Sequence, residues 1–106
     1  LDPLRANAAL AAAAEDWSGE MARGDFFRHS DVADQIAAFG YDADGYGENI
    51  AAGQTTPQAV VDAWIASPGH RANLLRPDFD EIGVGYVRLP GDGGAAPYGH
   101  YWTQIF

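Results

Sequence analysis

Cysteine is absent from this 106-residue chain. Disulfides, thiolate metal sites and a cysteine nucleophile are therefore excluded. Positive charge is scarce as well. Six basic residues face fifteen acidic ones, for a formal net charge of -9 and a pI near 4.3. A surface of that sign repels phosphate backbones and anionic membranes, so nucleic acid is not an expected partner. Its plainest consequence is solubility. No apolar run reaches the roughly 18 residues of a membrane span. No signal peptide is visible, as expected of a mature or trimmed domain. A Gly-x-Ser-x-Gly elbow and a Gly-rich phosphate loop are also missing. There are no internal repeats and no domain boundary. Residues 1–106 read as a single domain, long enough to bury roughly 60–68% of its unfolded surface.

What is present is first of all helical. Asn7 is a good N-cap, and residues 8–23 are rich in alanine, the strongest helix former. Leu10, Ala14, Trp17 and Met21 recur at helical spacing and define a buried stripe. Gly24 is the expected stop, and Leu4 is expected to pack on the same core. A shorter helix is expected over residues 32–39, capped by Asp31 or Ser30, with Val32, Ile36 and Phe39 inward and Gly40 at its end. Asp42-Ala43-Asp44-Gly45 has turn chemistry. In the third helix Thr56 is the cap, Pro57 takes the first helical position, and Val60, Val61, Trp64 and Ile65 face the core. Ser67-Pro68 repeats that pattern and opens a short helix through residue 75.

The last third changes period. Ile82, Val84, Tyr86 and Val87 surround glycines in a strand-like run, and residues 98–106 form a second strand, antiparallel to the first. Pro90-Gly91-Asp92-Gly93-Gly94 between them is a loop. Side chains alternate faces along a strand, so Tyr101 and His100 should point to opposite sides. Trp17, Trp64 and Trp102 are expected as core anchors.

Three stretches mix glycine, polar groups and aromatics beyond what core patterning requires. They are Gly47-Glu48-Asn49-Ile50-Ala51, Trp64-Ile65-Ala66-Ser67-Pro68-Gly69-His70-Arg71 and Tyr101-Trp102-Thr103-Gln104. Together they resemble the signature of the CAP superfamily, also called the SCP domain, in its compact bacterial branch. The resemblance spans residues 4–106. It implies an α+β fold, a three-layer α-β-α sandwich around a small, mainly antiparallel sheet. The helix near the N-terminus and the one carrying Trp64 would cover opposite faces. Family members usually carry another helix before the position of Leu4. Its absence here would leave an apolar face open to self-association or to a partner.

The resemblance also implies a central cleft holding two histidines and two glutamates, which bind a divalent metal in several members. His29 matches the first histidine and Glu48 the first glutamate. The third position falls on Ser67 and the fourth on Tyr101, so two of the four are changed. His70, three residues after Ser67, is a substitute that would make His29, Glu48 and His70 a three-ligand site for zinc or another divalent metal with one open position. Plainer roles stand beside these. His29 could cap the loop after Phe27, Glu48 could sit in a hydrogen-bonded turn, and His70 could serve a helix start. Asn49, Arg71 and Asn73 are expected to satisfy buried main-chain groups or each other, and Glu81 to be structural. Ser30 beside His29 and Ser67 near His70 would need a base within hydrogen-bond reach and a third group orienting it to form a catalytic triad, and neither lies in an elbow motif.

By resemblance, the expected function is that of a secreted or cell-surface binding domain, with a cleft for a metal, a lipid or another small ligand, or with a surface protein as partner. Efficient catalysis is not implied. A metal-dependent hydrolase using Glu48 as base or ligand remains a rival. So does a structural module of a larger surface protein with a vestigial cleft.

Overall fold

The structure, a computed structural model, describes residues 3–90 and 98–106. Its elements run β1 (Arg5–Ala6), α1 (Ala8–Gly24), α2 (Val32–Ala38), β2 (Glu48–Ala52), α3 (Pro57–Ala66), α4 (Pro68–Leu74), β3 (Glu81–Arg88) and β4 (His100–Ile105). The fold is α+β, as expected, with a mixed four-stranded sheet in the order β1-β3-β4-β2 among the described residues. β1 runs parallel to β3, and the other two pairings are antiparallel. The expected loop at residues 90–94 lies outside the described residues, apart from Pro90.

α1 begins where the side chain of Asn7 accepts the N–H of Leu10 at 3.0 Å, a standard N-cap. Leu10, Ala13, Ala14 and Met21 are buried along its inner stripe. The helix lies very close to the sheet because glycines sit beneath it. A Cβ on Gly83 would overlap the main chain of Leu10 and Ala11, and one on Gly85 that of Ala14 and Glu15. Ser18 Oγ donates to the Gly85 carbonyl at 3.3 Å and shares a 2.7 Å hydrogen bond with Thr103 Oγ1. These polar groups are fully buried and mutually satisfied. The stop falls one residue later than the composition suggests. Gly24 is the last helical residue, and its lack of a Cβ leaves room for the ring of Phe26. Asp25 takes the left-handed cap at φ 57, a conformation Asp tolerates better than most side chains.

The opposite face of the sheet is covered at one end by α3. Thr56 caps α3 and Pro57 opens it. Val60 and Trp64 pack with Ala51 and Trp102 in one cluster. α1 and the Trp64 helix therefore flank opposite faces, a three-layer arrangement. Two inward assignments fail. Ile65 is exposed because Trp64 and Val60 already fill the contact with the sheet, and Phe39 is exposed because α2 ends at Ala38 and Phe39 is only its cap residue. β2 is an element that patterning did not reveal. It is the edge strand beside β4, and four of its five residues are buried. Both of its faces are covered, so no polar alternation marks it.

Candidate functional site

The site grows from β2 because its neighbouring side chains tie down different parts of the molecule. Glu48 lies on the α1 side of the strand and Asn49 on the other. The Glu48 side chain is 1% exposed. A carboxylate so buried needs donors, and the connection between α1 and α2 supplies them. His29 Nδ1 lies 2.8 Å from Glu48 Oε1, and the Ser30 main-chain N–H donates to the same oxygen at 2.9 Å. Ser30 Oγ donates to Oε2 in a short hydrogen bond. A carboxylate oxygen accepts in this contact, so His29 Nδ1 is the donor. The His29 side chain is 59% exposed.

The connecting segment is fixed from behind as well. Trp17 Nε1 donates to the Arg28 carbonyl at 2.9 Å. Trp17 packs on Phe26 with ring centroids 5.6 Å apart, and the Arg28 guanidinium sits 4.2 Å over the Phe26 ring. Phe27 is thereby turned outward.

Asn49 is fully buried. Its amide donates to the His70 carbonyl at 3.1 Å and to Gln104 Oε1 at 3.2 Å. Asn73 Nδ2 donates to the Glu48 carbonyl at 3.2 Å and to Asn49 Oδ1 at 3.0 Å. The two asparagines thus satisfy buried main-chain groups and each other, as expected of them, and they tie α4 to β2. Ser67 occupies the cap position of α4 but makes no side-chain cap hydrogen bond. Ser67 itself lines a neighbouring cleft.

That cleft, about 280 Å³, is lined by Phe27, Ile50, Ala51, Ala52, Gln54, Ala63, Trp64, Ser67, His70 and Tyr98. It straddles β2, with Phe27 and Tyr98 in edge contact at 5.8 Å on one side and the α3–α4 corner on the other. A larger hollow of about 400 Å³ lies away from it, between residues 3–5 and residues 74–80. Volume alone does not select a site. The smaller cleft combines apolar walls with convergent polar groups, which is the usual character of a binding pocket.

The expected site residues divide accordingly. His29 and Glu48 are in contact, and Ser67 and His70 line the neighbouring cleft. Tyr101 is fully buried in a core cluster with Met21, Ala22 and Ile50. The expected three-ligand set of His29, Glu48 and His70 is not brought together as one group. Among the described residues no group of three or more Asp, Glu or His side chains is placed to hold a metal ion. The physical reason is the donor set. Ser30 covers both Glu48 oxygens, His29 spends Nδ1 on one of them, and His70 belongs to the α4 wall, which Asn49 holds through the His70 carbonyl. No three-ligand group forms from these side chains among the described residues. Nor does a serine triad at Ser30, whose hydroxyl bonds the carboxylate rather than a base.

His100 points away from Tyr101, as alternation required. It accepts or donates a 2.7 Å hydrogen bond with the Tyr86 hydroxyl and stacks on that ring. Glu81 is structural. The Tyr41 hydroxyl and the Asn7 amide donate to it at 2.8 and 3.1 Å and hold its carboxyl below the ordinary value. Phe27, Gln54 and Tyr98 were not anticipated as cleft residues. The one usable signal was the doubled aromatic at Phe26-Phe27, whose two rings cannot both face the core of so short a connection.

No helix among the described residues is long and apolar enough to cross a membrane. The YkwD protein of Bacillus subtilis is 40% identical over the whole of this chain, which spans 40% of that protein. The membrane protein YlbC of the same organism is 32% identical over 84% of this chain and 24% of its own length. An SCP-domain-containing extracellular protein of Bacillus anthracis superposes with a TM-score of 0.84 at 29% identity, covering all of this chain and 34% of that one. An outer surface protein of Borrelia burgdorferi superposes at 0.82 with 21% identity, covering all of this chain and 77% of its own, a likeness of fold alone. This chain therefore spans less than half the length of the Bacillus relatives. The sequence matches the cysteine-rich secretory protein family over residues 1–106, and the chain belongs to this CAP family.

Proposed function

We propose that this domain is an extracellular or cell-surface binding module whose cleft beside β2 holds a small, largely apolar ligand. The observation that carries the reading is the cleft itself, about 280 Å³ between the Phe27–Tyr98 pair and the Trp64–Ser67–His70 wall. Apolar walls supply burial, and Ser67, His70 and Gln54 supply orientation. Support for the location comes from the Bacillus anthracis protein, described as extracellular. The His29–Glu48–Ser30 cluster acts in this reading as the brace that fixes the Phe27 wall. Its carboxylate is fully engaged, which argues against Glu48 serving as a free general base.

The test is an NMR titration of ¹⁵N-labelled protein with N-phenylacetamide and indole. Amide shifts should concentrate at residues 50–54 and 63–70 and vanish in Ala63→Arg, whose side chain fills the cleft. Shifts scattered over the surface, or unchanged in Ala63→Arg, would refute the reading. Zinc added in parallel should leave these amides unmoved.

A further inference from the structure

The main-chain groups of β2 point to a narrower ligand class. Gly47 and Phe106 exchange both main-chain hydrogen bonds, at 3.2 and 3.0 Å, and Gly53 N–H reaches the His100 carbonyl at 2.9 Å. Hydrogen-bonded and non-hydrogen-bonded pairs alternate along an antiparallel ladder. With this register, Glu48, Ile50 and Ala52 occupy the non-bonded pairs with Ile105, Thr103 and Tyr101. Their N–H and C=O groups are directed away from β4, toward the free side of the sheet.

Such an edge recruits foreign strands unless it is covered. Here the covering is done by side chains, and it stops part-way. Asn73 Nδ2 takes the Glu48 carbonyl and Trp64 Nε1 takes the Ile50 carbonyl at 3.0 Å. Among the described residues no side chain bonds the main chain of Ala52. The cleft opens at this position, with Ala52 in its lining. Gln54, two residues on, also lines it, and its buried Oε1 has no hydrogen-bond partner among the described residues. A buried unpaired acceptor costs free energy that a ligand N–H would recover.

We infer that the cleft takes an extended peptide segment, neutral or cationic, which forms a one-residue β-bridge with Ala52 and places an apolar side chain between Phe27 and Trp64. This rests on the cleft being a binding site, as proposed above. A peptide carries N–H and C=O groups at the spacing an edge strand offers, with alternate side chains for pockets. A lipid tail has no polar group to meet either main-chain group. Charge selects further. No Asp, Glu, Lys or Arg lines the cleft, while the net charge of -9 repels acidic segments.

The experiment selects a phage-displayed library of random seven-residue peptides on the intact domain. The best binder is then synthesised with blocked termini. Ala52→Pro removes only the outward N–H, a change edge strands tolerate. It should weaken that peptide about tenfold at an unchanged melting temperature. Methylating the bridging amide nitrogen of the peptide should do the same. On binding, the Ala52 amide should shift downfield and exchange more slowly with solvent. No enrichment, equal binding to Ala52→Pro and wild type, or an unmoved Ala52 amide would each overturn the inference. The fragment titration separates the two readings. Fragments that bind while peptides fail would remove the peptide and keep the cleft, and failure of both would remove both.

Discussion

The two faces of the sheet solve the same packing problem in opposite ways. Under α1, β3 presents Gly83 and Gly85, and the helix main chain rests directly on the strand. On the other face β3 presents Val84 and Tyr86, which stay 48% and 38% exposed. The first face has no room for a Cβ at Gly83 or Gly85, and among the described residues the second has no helix over β3. Among the described residues, the β2 end of the second face is the part that is closed, by Trp64 and Trp102. Rigidity and recognition are thus separated. The closed face holds the fold, and the cleft lies along the strand edge where the covering runs out.

Substitutions can break this contrast, and the largest effect belongs to the closed face. Gly85→Ala should cost at least about 3 kcal/mol, because a main-chain clash cannot be relieved by turning a side chain. Against a total of about 5–15 kcal/mol this is a large loss, readable by chemical denaturation. A Gly85→Ala protein as stable as wild type would mean that α1 does not lie as close as described. Trp64→Ala should cost about 3–5 kcal/mol and also uncap the Ile50 carbonyl. Melting temperature reports the first effect and faster exchange of the β2 amides the second.

Glu48→Gln is milder. It keeps the volume but sets an amide group against the donors of Ser30 and His29, at about 2–3 kcal/mol. Peptide or fragment affinity should fall with it, because the Phe27 wall loses its brace. An unchanged affinity would detach the brace from the cleft. Glu81→Gln acts through pH. Its carboxyl is held below its ordinary value by Tyr41 first and Asn7 second. The stabilisation is therefore complete above the unfolded value near 4.5 and is lost as pH falls through the folded one. The variant should melt lower than wild type at pH 7, show a flatter fall between about pH 5 and pH 3, and approach the wild-type melting temperature at the acid end. The smallest effect should come from the open face. Val84→Thr should change stability by no more than about 0.5 kcal/mol, while reducing the binding of an apolar dye.

Much of this was readable in the sequence because the helices announce themselves. Asn7, Thr56 and Pro57 mark starts, and the Leu10–Met21 stripe has one period throughout. The motif residues were found as well, since Glu48, Asn49 and His70 stand out against their apolar surroundings. What they do was harder to see. Glu48 and Asn49 face opposite sides of a strand that short length and burial on both faces conceal, so one motif serves two separate braces. His70 contributes its carbonyl to the asparagine network, which no side-chain chemistry could announce. Ile65 and Phe39 were misplaced because helical spacing cannot say how wide the buried stripe is or which residue ends the turn. The cleft depends on the free edge of β2, a property of strand order, and no local pattern encodes it.

Strand order has a further consequence, for the time course of folding. β4 is the last strand in chain order among the described residues, yet it lies in the interior of the sheet, between β3 and β2. Until it is made, β2 has no partner and β3 has only the two-residue β1. α1, ending at Gly24, is synthesised early but rests on strands that begin only at Glu81 and His100. A chain growing from its N-terminus would therefore stay open, with its apolar stripe unpaired, until β4 leaves the ribosome or translocation pore. Closure then happens in one late step, dominated by contacts distant in sequence. A protein built this way can cross a membrane as a thread and fold on the far side.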